Sequence, residues 1–203
     1  MQVHRLPRFS IAAGMLLIAS TAVGLASTRY VIATMLGGQT TLVDLLTPPA
    51  RGWSAYLVLR RLQDGVTAML PIVGGWTLVL PFLNISPSRG LRSRLLRRPG
   101  TSACVAAMLG IVLGAGVMAG SALIGRLVDG RLRLSVMEWA RFFVLQQLLI
   151  YAGTAVAIVW IMQALARRWK PSPDWADRLG RGLGVLWIVS GILWATRPYL
   201  ELL

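Results

Sequence analysis

Residues that hold metals and redox groups are scarce in this sequence. Among its 203 residues there is one histidine, His4, and one cysteine, Cys104. A single cysteine excludes an intramolecular disulfide and any metal site built on several thiolates. Cys104 falls in an apolar run and reads as a small buried residue. His4 precedes the first apolar run, so neither a haem held by two histidines nor a pigment ligated by a histidine within the membrane is supported. HExxH, P-loop and GxSxG motifs are all missing. No cofactor is predicted; a pigment, quinone or lipid would be met through partners.

Negative charge is equally sparse. The seven acids are Asp44, Asp64, Asp129, Glu138, Asp174, Asp177 and Glu201, and none lies in the middle of a long apolar run. Ion-coupled transporters and proton pumps need carboxylates within the membrane, so this spacing argues against both. Asp174 and Asp177 share a helical face, but they stand where a helix begins, and there the helix dipole alone favours acids. A catalytic or metal role is not assigned to either.

What the sequence has in quantity is apolar length and arginine. It is 56% hydrophobic and 14% charged, with a mean hydropathy of +0.65, too apolar for a soluble domain of this size. Net charge is +14, and Lys170 is the sole lysine. The cations sit in short clusters between apolar runs rather than on one soluble face, which excludes a nucleic-acid surface and fits anionic lipid headgroups.

The pattern predicts a single all-α transmembrane domain over residues 1–203. Spans are expected at about 9–28, 65–83, 103–125, 142–166 and 182–197, with a short interfacial helix at about 53–64 that runs into the second span. Residues 9–28 also have the layout of a signal peptide, with basic residues before an apolar run and Gly24-Leu25-Ala26 as a small-residue cleavage site. The retained span is the reading adopted. The last span has only 15 uncharged residues, Gly182 to Thr196, and the bundle reduces to four spans if that segment is interfacial. Thr101 or Ser102 is expected to cap the third span. Ser135 with Glu138 forms a capping box for the fourth helix, and Ser172 before Pro173 an N-cap for the fifth.

The third run is the expected centre of the bundle. It carries no charge between Arg98 and Arg126. Gly110 with Gly114 and Gly116 with Gly120 make two small-xxx-small pairs about 120° apart around a helix, so two neighbours can approach closely. The second run holds Pro71, Gly74-Gly75 and Pro81, a pattern for a kinked helix.

Arg89, Arg92, Arg94, Arg97 and Arg98 form the densest cationic loop and are expected to bind lipid headgroups and set orientation. With five spans and the N-terminus inside, 12 of the 21 Lys and Arg fall on the inner side. The expected location is the bacterial cytoplasmic membrane, with the N-terminus inside and the C-terminus outside. Tyr30, Trp53, Tyr56, Trp139, Trp194 and Tyr199 would lie at the outer interface, and Trp169 and Trp175 at the inner one.

One polar stripe lies inside a span: Gln147, Tyr151 and Thr154 at i, i+4 and i+7, with Gln146 beside it. It could hydrogen-bond a quinone, a lipid headgroup or a solute, or bond to a neighbouring helix. Three functions are carried forward. The first is a non-catalytic accessory subunit of a larger membrane complex, respiratory or photosynthetic in type, with other membrane subunits and anionic lipids as partners. The second is a small oligomeric channel or carrier using the kinked helix and the Gln147 stripe. The third and weakest is a lipid-modifying enzyme acting through Asp64 with Arg60 and Arg61.

Overall fold

The structure is a computed structural model that describes residues 11–35, 55–83, 98–129, 134–167, 169 and 174–196. Side chains are described for 11–29, 57–83, 98–120, 147–167, 169 and 174–196. Among these residues there are five helices and no strand: α1 (Ile11–Met35), α2 (Ala55–Leu83), α3 (Pro99–Asp129), α4 (Leu134–Leu165) and α5 (Trp175–Ala195). Four contain a segment long and apolar enough to cross a membrane: Ile11–Arg29, Leu57–Leu83, Pro99–Gly120 and Gln147–Leu165. The protein is an all-α membrane bundle. The 21 residues of α5 would reach about 31 Å at 1.5 Å per residue. Asp177, Arg178 and Arg181 in its first two turns leave α5 outside that set of four.

The helix read at 53–64 lies largely within α2, which begins at Ala55. It continues without a break into the second span, and α2 runs through Gly65, Pro71 and Pro81. A lone glycine costs a helix interior only about 1 kcal/mol, which tertiary packing can override. The third helix starts four residues early, at Pro99. A proline suits the first helical position, because its missing N–H would have no partner there. Thr101 and Ser102 therefore lie inside the first turn and do not cap it. The Ser102 amide donates to the Arg98 carbonyl at 3.0 Å, and its hydroxyl donates to the Pro99 carbonyl at 3.1 Å. The fourth helix begins at Leu134, so Ser135 also lies inside it; the side chains of the capping box are outside the described residues. The N-cap of α5 is Asp174, not Ser172, which lies outside the described residues. Asp174 makes no side-chain cap bond. Its carboxylate instead meets Arg98 at 2.8 Å, with both side chains about one-third exposed.

The bundle is built on three mutually packed helices, α3, α4 and α5. The second helix lies against α3 and α5, and α1 lies mainly against α2. Gly100, Ala103, Ala107, Gly110 and Gly114 recur at three- and four-residue steps along α3, and all five are buried. These small residues bring backbones together. A Cβ on Gly110 would lie 2.6 Å from the Tyr151 carbonyl oxygen, and one on Gly180 would lie 2.6 Å from the Gly100 carbonyl oxygen. Such close crossings suit a membrane, where apolar side chains gain little by leaving lipid and association rests on backbone packing and dispersion. Larger side chains fill the space between: Leu149, Val156, Trp187 and Trp194 are buried in the core. Trp194, read from sequence as an outer-interface aromatic, is 1% exposed and packs between helices.

Candidate functional site: an apolar groove on the second helix

Polar groups within the bundle are used to tie helices together. The Trp187 indole donates to Thr77 Oγ1 at 2.9 Å, joining α5 to α2. The Trp76 indole donates to Thr21 Oγ1 at 2.8 Å, and Thr28 Oγ1 lies 2.9 Å from the Ala68 carbonyl, so both bonds join α1 to α2. Gln63 donates through Nε2 to the Leu193 carbonyl at 2.7 Å, joining α2 to α5 near the opposite end. Thr77→Val is expected to cost about 1–2 kcal/mol, because it leaves a buried indole N–H without its acceptor. Thr77→Ser should retain most of the stability, as measured by unfolding in mixed micelles.

A polar cluster forms the junction where α3 and α5 begin. Asp177 is fully buried, and its Oδ1 accepts from the Gly100 amide at 2.8 Å. Its Oδ2 lies 3.5 Å from Arg181 Nε. The Trp160 indole donates to the Pro99 carbonyl at 3.0 Å, and the Trp160 ring meets Trp169 edge-on at 5.5 Å. A carboxylate at the free amides of a helix N-terminus is favoured by hydrogen bonding and by the helix dipole together. This arrangement fastens one helix start to another. It presents Asp177 to a backbone amide and an arginine. Asp174 faces Arg98 instead.

Between α2 and α5, with Leu25 and Thr28 of α1 along one side and Leu149 of α4 at its floor, lies a cavity of about 740 Å³. On α2 it follows one helical face from Val58 through Leu62, Val66 and Met69 to Trp76. On α5 it is lined by Leu183, Leu186, Trp187 and Ser190. Val58, Leu62, Met69 and Leu186 are exposed, so the cavity is a groove with an open side. Its hydroxyls bond to backbone: Ser190 donates to the Leu186 carbonyl at 2.6 Å, and Thr28 to carbonyls of α1 or α2. The wall is thus apolar except for Arg61, which lines the groove half-buried close to its Val58 end. The volume is within the roughly 300–1,000 Å³ usual for small-molecule sites.

The candidates read from sequence do not assemble at this groove. Gln147, Tyr151 and Thr154 do not line it; α4 contributes Leu149, from another face. The Tyr151 ring lies under Gly114, where an added Cβ would come within 2.9 Å of its Cδ2, and Thr154 is exposed. The side chain of Gln146 is outside the described residues. Gly110 and Gly114 face α4, whereas Gly116 and Gly120 have nothing within 4 Å of an added Cβ. Arg98 pairs with Asp174, and Arg89, Arg92, Arg94 and Arg97 are outside the described residues. So are His4, Asp44 and Glu201, and the side chains of Tyr30, Trp53, Tyr56, Trp139 and Tyr199. Cys104 is buried among helices. No group of three or more His, Cys, Asp or Glu is placed to hold a metal among the described residues. Two features were missed from sequence: the groove, and the use of Asp177 to hold α3. The apolar spacing of Val58, Leu62, Val66 and Met69, at i, i+4, i+8 and i+11, could have pointed to the groove's α2 wall, but nothing local links Asp177 to an amide 77 residues away.

The fold and these sites define a multi-pass helical membrane protein. The chain matches no protein-family model, no curated protein and no solved structure.

Proposed function

We propose that this protein is a non-catalytic subunit of a larger assembly in a bacterial cytoplasmic membrane, with its N-terminus on the inner side. The observation that carries this reading is the outer face of α3. Among the described residues nothing lies within 4 Å of a Cβ added at Gly116 or Gly120, and the exposed side chains of Val112, Leu113 and Val117 flank them. The same helix uses Gly110 and Gly114 for close backbone contact with α4. A second small-xxx-small pair next to it, uncovered by any described residue, suits close approach by a helix of another subunit. The engagement of Thr77, Trp76, Trp187 and Gln63 in helix-to-helix bonds adds support, since it leaves them to structure rather than to a solute path. The cationic end of the bundle, where Arg98, Arg178 and Arg181 lie, suits the cytoplasmic side by the excess of positive charge found there.

The experiment is gentle solubilisation of native membranes followed by native electrophoresis. The 22.1 kDa chain should migrate within a heavier assembly of fixed subunit composition. Gly116→Leu should release it to its own mass while its helicity is unchanged. A wild-type chain that migrates alone would defeat the reading, and so would comigration indifferent to Gly116→Leu and Gly120→Leu together.

A further inference from the structure

The groove along α2 combines two properties that rarely share one cleft. Its length is apolar, and its hydroxyls and indole N–H groups are hydrogen-bonded within the bundle. Near the Val58 end, one side chain, Arg61, brings a permanent positive charge into the lining. Arg60 stands exposed next to it, and Asp64 one turn on reduces the local charge to a net single positive. From Arg61 to Trp76 the helix rises about 22 Å, more than the depth of one leaflet of a hydrocarbon core about 30 Å thick. The groove opens sideways through Leu186 of α5 and through Met69, which lies on a helix long and apolar enough to cross a membrane, so a lipid reaches it without crossing water.

We infer that this groove binds one anionic phospholipid, with an acyl chain laid along α2 and the phosphate at Arg61. The match is one of charge and shape together. A phosphodiester offers one negative charge and oxygen acceptors to a guanidinium that has five N–H donors, so Arg61 can keep a neighbouring contact and still hold the headgroup. The acyl chain covers apolar wall that no described side chain covers. This site lies at the opposite end of the bundle from Arg98, Arg178 and Arg181, and is independent of the assembly proposed above.

The test uses the full chain purified in a mild nonionic detergent, with native mass spectrometry after addition of phosphatidylglycerol or, separately, phosphatidylcholine. One phosphatidylglycerol per chain should be retained in preference to phosphatidylcholine. Arg61→Gln should lower that occupancy about fivefold, the effect of one cation near an anionic headgroup. Arg178→Gln, at the far end, should leave it unchanged. Met69→Trp combined with Leu186→Trp fills the groove from its open side and should abolish retention. Equal retention of the two lipids overturns the inference, as does retention insensitive to Arg61→Gln. A change of oligomeric mass in the tryptophan variant without loss of lipid would give the groove to a second chain and equally overturn it. Should that variant fail to fold, photocrosslinking with a diazirine-acyl phosphatidylglycerol decides on the wild-type chain. Adducts on Met69 and Leu186 support the site, and adducts confined to α3 and α4 refute it.

Discussion

Asp177→Ala should lower the stability of the bundle by about 3 kcal/mol, among the largest effects of any single polar substitution in this protein. The side chain is wholly buried where α3 and α5 start, and it accepts the Gly100 amide at 2.8 Å. Removing it leaves a helix-start amide without its acceptor, with little water to replace it. It also leaves Arg181 without the carboxylate 3.5 Å away. That second loss is the smaller, because Arg181 is one-third exposed and solvent screens it. Asp177→Asn keeps an acceptor for Gly100 and should cost about 1 kcal/mol. The ordering Ala below Asn below wild type, read from unfolding by denaturing detergent in mixed micelles, checks the argument. An asparagine variant as unstable as the alanine one would mean that charge, and not the hydrogen bond, dominates at this junction.

A leucine at Gly110 should prevent α3 and α4 from docking, at a cost above about 3 kcal/mol, whereas a leucine at Gly116 should leave the isolated chain as stable as wild type. The two glycines are six residues apart on one helix and differ only in what they face. A Cβ at Gly110 would lie 2.6 Å from the Tyr151 carbonyl oxygen and 2.7 Å from the Ala152 Cα, both backbone atoms that cannot rotate aside. Even alanine there requires the helices to separate, which loosens the packing of Ala107, Ala152 and Val156. At Gly116 nothing lies within 4 Å. Unfolding measurements on both variants, with native electrophoresis for assembly, separate the two faces. Gly110→Leu should lose stability, and Gly116→Leu should lose the partner alone. Equal stability of the two would show that α3 and α4 are not held as closely as their backbones indicate.

Some of this was legible in the residues. Long uncharged runs announced the helices, since a chain that must satisfy its backbone amides in lipid has few alternatives to a helix. The glycines of α3 marked close packing, but their spacing did not say which pair was occupied. Ala103, Ala107 and Gly100 complete the packed face, and alanine is too common in helices to be noticed as part of one. Pro99-Gly100 has the composition of a break, because both residues disfavour helix interiors. At a helix start, proline is favoured, and Gly100 is the point where α5 comes closest. Trp194 looked like an interfacial aromatic because tryptophan favours that depth. Its burial depends on which side of α5 faces α3 and α4.

Secondary structure and membrane character followed from composition and runs of apolar residues, which are local properties that each segment satisfies alone. The pairing of Asp177 with Gly100, the uncovered face at Gly116 and the groove ending at Arg61 required the folded bundle. Each depends on the rotation and crossing of helices distant in sequence. In lipid those are set by backbone fit between small residues, because an apolar face meets apolar surroundings on every side and does not mark the direction of its neighbour.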